Sequence, residues 1–298
     1  MTIKTIRLNN GVLMPDVGLG TYALEVGGNV DELIHSAIDM GYRHFDCATC
    51  YDSQPQVGSA LKSAKVPRKE LFIVSKIFHD KHRPELVPGA LDEILEQLQV
   101  DCVDLLLMHG PHSYKPGTYD EIDNVPIMDT WRAMEALLET GKVRAIGVSQ
   151  FTLSVMKKMV PQCRIIPAVN QIEIHPYLQR HELERFCRQH NIALTAFSPL
   201  GGSLVNVMGD DIIKGIAKAH NCTPAQVCLS WMLARDIMVI PRTTNKQRLA
   251  ENLHRVELSE DEMRLIATIK KEVFTFDPME LPKELRWLHL EGEECPVI

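Results

Sequence analysis

The chain has 298 residues, 45% of them hydrophobic and 24% charged, the balance of a soluble globular protein with material for a sizeable core. A formal net charge of −7 speaks against a nucleic-acid binder, which needs a basic face, and no apolar run reaches the ~20 residues of a membrane span. Eight scattered cysteines, and a start without a signal-peptide core, point to a reducing, cytoplasmic setting rather than a disulfide framework.

Ile6 to Met14 alternates apolar and polar residues around Asn10-Gly11, a strong hairpin signal, so a small hairpin precedes the main fold. Val17–Thr21 follows as a tight buried strand. From there strand and helix alternate. Val30–Met40 has helical periodicity and stops at Gly41, ahead of the strand Arg43–Asp46. A weaker helix over Gln54–Ser63 leads to Leu71–Ser75, and an amphipathic one over Glu85–Gln99 leads to Cys102–Met108. Asp129–Glu139, closed by Gly141, precedes Val143–Val148; Leu153–Val160 precedes Ala168–Ile172; Leu178–His190 precedes Ile192–Phe197. Thr223 caps a helix with Pro224 at its first position, running to Arg235. Ile237–Ile240 is the last strand and Asn245–Asn252 the helix after it.

Eight short strands, apolar on both faces and each followed by helical sequence, predict an α/β fold, a single (β/α)8 TIM barrel. No G-x-G-x-x-G follows a strand and no G-x-x-x-x-G-K-[ST] occurs, which weakens a doubly wound sheet. Residues 1–298 are expected to form one domain, with the hairpin in 1–15. A C-terminal helix and tail in 253–298 are expected to cap the active-site face.

In such a barrel, function sits at the carboxyl ends of the strands. The residues there are polar at nearly every strand: Asp46 with Tyr51 close behind, Lys76, His109, Ser149-Gln150, Asn170-Gln171, Phe197-Ser198 and Arg242-Thr243-Thr244. Singly, each has a plain structural explanation: a buried ion pair for Asp46 and Lys76, a core histidine at 109, a rim tyrosine at 51. Together they make a proton-transfer set. A tyrosine of pKa ~10 is a poor acid or base at neutral pH, a lysine ammonium lowers that value, and a buried aspartate keeps the lysine charged. Such a phenol can protonate an oxygen that is becoming an alkoxide while a histidine orients it, the equipment of carbonyl reduction, with the hydride left to a cofactor. Cys47-Ala48-Thr49-Cys50 lacks a zinc site's second ligand pair and a redox site's fold, and reads as two ordinary thiols. The terminal Cys295-Pro296-Val297-Ile298 fits a prenylation box only superficially, behind an acidic run.

Ordered blocks then resemble the aldo-keto reductase family from Gly11 to beyond Asn252: GYRHFDCATCYDSQPQVGSAL around Asp46 and Tyr51, LFIVSKI at Lys76, VDLLLMHGP at His109, then GKVRAIGVSQF, AVNQIEIHPYLQ, AFSPLGG and VIPRTTNKQRLAEN. The resemblance implies an aldose-reductase-like, NADP(H)-dependent enzyme that reduces an aldehyde or ketone. Tyr51 is then the general acid/base, Asp46 and Lys76 tune it, and His109 orients the carbonyl. An extended nicotinamide cofactor is implied across the strand ends, touching Thr21, Tyr22 and Asp46. Ser149, Gln150 and Gln171 would meet its carboxamide, Phe197 its ring, and Ser198, Leu200 and Gly201 its pyrophosphate. Arg242, Thr243, Thr244, Arg248, Glu251 and Asn252 would surround the adenosine phosphate. A guanidinium at Arg248 suits a 2′-phosphate, favouring NADP(H) with NAD(H) possible. The implied substrate pocket is Tyr22, Tyr51, Phe78, His109 and Gly110, with no metal. The expected partner is a small-molecule carbonyl, with no nucleic acid and no membrane, for a monomer or weak homo-oligomer.

The chain departs from the family's pattern in places. Arg242 stands where lysine is usual, Gln150 where asparagine is usual, Gly110 where tryptophan is usual and Tyr22 where tryptophan is frequent. Loss of the indole at 110 is expected to open the pocket to a bulkier or more polar carbonyl, unless Tyr114, Tyr119 or the tail refills it. Ser203 to Asn206 lacks an obvious acidic tether, which implies faster cofactor release. The tail from Phe274, with Trp287 and Leu288, is expected over the active-site mouth. Two other readings stay open: a cofactor-binding barrel acting as a sensor or subunit with negligible turnover, and a metal-dependent hydrolase. Against the latter, no His-x-His or carboxylate cluster ends the first strands.

Overall fold

The computed structural model describes residues 3–25, 28–202 and 204–275. β1 (Thr5–Arg7) and β2 (Leu13–Pro15) form the expected antiparallel hairpin, in the register Ile6↔Met14. Its turn holds Gly11 at φ +85°, a conformation that side chains resist.

Four parallel strands follow, each hydrogen-bonded to the next: β3 (Leu19–Gly20), β4 (His44–Asp46), β5 (Phe72–Ile77) and β6 (Leu105–Met108). The segment after β6 carries a small antiparallel ribbon, β7 (Ser113–Tyr114) with β8 (Ile122–Asp123), too short to leave a pattern in the sequence. The parallel sheet continues through β9 (Ile146–Ser149), β10 (Val169–Glu173), β11 (Ala193–Phe197) and β12 (Ile237–Val239), giving eight strands in one sheet. It closes on itself. Gly18 N–H donates to the Val239 carbonyl at 2.9 Å, and Val239 N–H donates to Asp16 at 2.9 Å.

The strands are short because each serves two buried faces. Phe72, Val74, Leu105, Leu107, Val169 and Met238 pack inside the barrel, where Leu8 and Met14 of the hairpin join them from the amino-terminal end. Alternate residues such as Ile73, Leu106 and Leu194 pack outward beneath the helices. The helices are α1 (Val30–Asp39), α2 (Gln54–Ser63), α3 (Val87–Leu98), α4 (Ile127–Leu137), α5 (Leu153–Met159), α6 (His181–Gln189), α7 (Asp211–Ala219), α8 (Pro224–Leu233), α9 (Lys246–Asn252) and α10 (Glu260–Ala267). α1 shows the rule: Asn29 caps it by accepting from Glu32 N–H at 3.2 Å, and Leu33, Ile34, Ala37 and Ile38 form its buried stripe.

α7 has no counterpart in the alternation read from the sequence. Gly215 in its middle weakens the helical signal, but Asp210 caps it and Ile213, Ile216 and Ala217 bury one face. α10 falls in the stretch where a C-terminal helix was expected. The described residues run on to Thr275, and the remainder of the expected cap, with Trp287 and Leu288, lies outside them. Among the described residues no helix is long and apolar enough to cross a membrane.

Candidate active site

The hairpin plugs the amino-terminal end, and the polar strand-end residues gather at the other. Asp46 is the last residue of β4 and pairs with Val74 of β5, so Lys76, two positions on, shares that face and reaches back. Its ammonium donates to Asp46 Oδ1 at 2.6 Å, to the Cys47 carbonyl at 2.8 Å and toward Tyr51 Oη at 3.4 Å. Gln171 from β10 donates through Nε2 to the other oxygen, Asp46 Oδ2, at 2.6 Å. Both members of the ion pair are buried. Removing either would strand a charge out of water.

Burial disfavours the charge on Lys76, but the attractions around it, led by the Asp46 carboxylate, outweigh it and raise its pKa above the usual lysine value. Burial pushes the Tyr51 phenol up to about 12, with the Lys76 ammonium pulling the other way. The sequence alone suggested that the lysine would set the direction. Desolvation wins, so the phenol keeps its proton throughout the neutral range.

His109 follows β6. Burial, reinforced by Lys76 and by His79, His82 and His112, holds it well below 6.5, so the ring is neutral. Its Nδ1 lies 3.7 Å from Cys50 Sγ. The Tyr51 ring meets it edge-on at 5.9 Å and Phe78 at 5.7 Å, while the exposed Tyr22 ring stands 5.3 Å from Tyr51. Tyr22, Tyr51, Phe78 and His109 thus form one contiguous group of rings.

Gly110 does not open that pocket. A Cβ there would lie 2.6 Å from His79 Cε1. The His79 ring stacks on His112 at 3.8 Å, lies 5.6 Å from His109, and engages the His112 carbonyl through Nδ1 at 3.1 Å. Tyr114 packs edge-on to His79, and the exposed Tyr119 lies beside Phe78 instead. The space expected to be vacated by an indole is therefore taken by imidazole. His79, His82 and His112 were not singled out beforehand, although His79/His82 and His109/His112 repeat one H-x-x-H spacing. Among the described residues no group of three or more His, Cys, Asp or Glu is arranged to hold a metal ion.

The remaining expected residues ring the same end, but several are already engaged. Thr21 is fully buried and donates its hydroxyl to the Asp46 carbonyl at 2.8 Å, so it ties β3 to β4. Ser149 ends β9, buried. Gln150 takes a left-handed φ of +62° and donates through Nε2 to the His109 carbonyl at 3.1 Å. Phe197 ends β11, followed by Ser198 at φ +46° and a turn in which Gly201 N–H donates to Ser198 O at 2.9 Å, with Leu200 half-buried. Left-handed non-glycine residues at two strand ends are conformations that the surroundings must hold in place.

Arg242 contacts backbone. Its Nε donates to the Tyr22 carbonyl at 3.2 Å and its Nη2 to Ala23 at 2.5 Å, so its fork joins two loops. Thr243 Oγ1 accepts from Asn245 N–H at 3.1 Å, Glu251 accepts from Gln247 at 2.8 Å, and Asn252 is buried. Thr244 is half-buried and Arg248 stands exposed on α9.

A family model described as "Aldo/keto reductase family" matches residues 16–271. The chain is 37% identical over 295 residues to an aldose reductase of Encephalitozoon cuniculi, covering 93% of this chain and 97% of that protein. It is 37% identical over 303 residues to an NADP-dependent D-sorbitol-6-phosphate dehydrogenase of Malus domestica, again covering 93% and 97%. Its fold is similar to the solved aldose reductase of Schistosoma japonicum, with a TM-score of 0.89 and 33% identity over 98% of this chain and 100% of that one.

Proposed function

The chain belongs to the aldo/keto reductase family, and from that premise we propose that it reduces an aldehyde or ketone with NADPH, Tyr51 donating the proton. The observation that carries the reading is a single ammonium, Lys76, shared by the Asp46 carboxylate at 2.6 Å and the Tyr51 hydroxyl at 3.4 Å. A half-buried phenol that keeps its proton at neutral pH is an acid in waiting. As the proton leaves for the substrate oxygen, phenolate charge develops beside a cation already in place, and no solvent has to reorganise. Asp46 keeps Lys76 charged, and Gln171 keeps Asp46 oriented. Neutral His109 offers a second donor to the same oxygen.

The strand-end set fits an elongated, phosphate-bearing dinucleotide: an aromatic face at Phe197, hydroxyls at Ser149, Ser198, Thr243 and Thr244, an amide at Gln150 and an exposed guanidinium at Arg248. Bound, the nicotinamide supplies the hydride. Ser149 and Gln150 would hold its carboxamide, the turn through Leu200 and Gly201 its pyrophosphate, and Thr243, Thr244, Arg248, Glu251 and Asn252 its adenosine end. Arg248 favours the 2′-phosphate of NADP(H) over NAD(H). Thr21, Gln171 and Arg242 support the site through the bonds they already make. A cytoplasmic compartment that keeps NADP reduced would drive the reaction toward the alcohol.

The test is Tyr51→Phe, assayed with NADPH and NADH against a broad aldehyde and ketone panel. Reduction should fall roughly 100-fold or more while NADPH binding, followed by fluorescence titration, stays at the wild-type level. Wild-type turnover in that variant would refute the proton-donor assignment. A wild-type enzyme that oxidises no NADPH with any compound of the panel would favour a binding role instead.

A further inference from the structure

Resting on the reading of Tyr51 and His109 above, the geometry points to Cys50 as the residue that orients His109. Its thiol hydrogen, donated to Nδ1, leaves the ring proton on Nε2, the nitrogen left to the reacting oxygen. Cys50 Sγ and His109 Nδ1 are 3.7 Å apart, within the longer reach of a sulfur hydrogen bond. Among the described residues this thiol is the one hydrogen-bond partner of the His109 ring.

The aromatic neighbours cannot do this job. His79 stacked on one side, with Phe78 and Tyr51 edge-on, fixes the plane of the imidazole. A half-turn about the Cβ–Cγ bond keeps that plane and exchanges each nitrogen for a carbon. Stacking is nearly indifferent to the exchange, and a hydrogen bond is not. Burial keeps the Cys50 thiol protonated, pushing it up to about 11, so it has a hydrogen to give. Sulfur is a weak acceptor, and a neutral imidazole carries one donor and one acceptor. The pairing therefore runs from S–H to Nδ1 and places the N–H at Nε2. Gln150 holds the same residue from behind, through the His109 carbonyl at 3.1 Å.

Cys50 is thus a positioning residue, acting through His109 and undergoing no chemistry of its own. Only the second cysteine of the C-x-x-C pair is used. Cys47 is fully buried and is pushed up to about 12 by its burial.

The full-length protein, labelled with ¹⁵N-histidine, tests this by NMR of the ring nitrogens. The His109 signals are assigned by their loss in His109→Gln, and kcat is measured in parallel with KM for NADPH. Wild-type protein should show Nε2 protonated. Cys50→Ala should show averaged nitrogen shifts and a roughly fivefold lower kcat, the size of one hydrogen bond, with KM for NADPH unchanged. Cys50→Ser, which keeps a donor, should restore most of both. Nδ1 protonated in the wild type, or wild-type nitrogen shifts in Cys50→Ala, overturns the proposal. A shifted tautomer with wild-type kcat upholds the pairing and refutes His109 as the carbonyl's second donor.

Discussion

Gly110 is small because another residue owns its side-chain space. The His79 ring stands where a Cβ would project, wedged between His112 and His109. Adding even a methyl group there must move a buried imidazole that is stacked and bonded to the His112 carbonyl. Gly110→Ala is therefore expected to lose about 1–3 kcal/mol of stability, the usual cost of overpacking, and Gly110→Trp more. Chemical denaturation of the two variants decides it. A wild-type unfolding midpoint in Gly110→Ala would show that the pocket is open there after all. Residue type alone does not reveal such geometry. Arg242 keeps the positive charge of lysine, yet its fork spans two backbone carbonyls that one ammonium could not hold in the same geometry.

Among the elements, α8 states its start most clearly. Thr223 accepts from Gln226 N–H at 3.2 Å, Gln226 accepts in return from Thr223 N–H at 2.9 Å, and Pro224 occupies the first turn, where its missing N–H costs nothing. Gln226 also donates to the Glu251 carbonyl at 3.2 Å, which ties this start to the end of α9. Thr223→Ala should cost about 1 kcal/mol, read as a shift of the urea midpoint at constant slope, with little effect on turnover. No midpoint shift would mean that tertiary packing alone holds the helix start. The site depends on such elements only indirectly: α8 and α9 follow the strand-end residues Phe197 and Arg242 into the outer layer and hold the strands beneath.

For the whole molecule, buried histidines set the acid limit. His44 lies inside the barrel, bonded to the Pro15 carbonyl at 3.0 Å, and burial holds it down at about 4, partly offset by Asp46. Burial likewise holds His79 at about 4. An unfolded histidine titrates near 6.5, so below that value the unfolded chain binds protons that the native state refuses. This contribution is intact above 6.5 and is lost as the pH falls toward 4, at about 3 kcal/mol for His44 alone. Against a typical total of roughly 5–15 kcal/mol, that is a large share of the protein's stability. Urea midpoints followed down the same pH range should decline steadily. A flat profile would mean that the native state admits the protons.

The sequence by itself determined the eight-strand alternation, the leading hairpin, the Thr223 cap and the strand-end positions of Asp46, Tyr51, Lys76 and His109. Those follow from period, turn chemistry and caps, which act between near neighbours. Tertiary structure alone decided the rest. Gln171 reaches Asp46 from a strand far along the chain, and His79 meets Gly110 only because β5 and β6 are adjacent. The upward shift of Tyr51 required its burial, which no local pattern records. Long-range contact and desolvation belong to the packed barrel, and they bring these residues together and set their protonation.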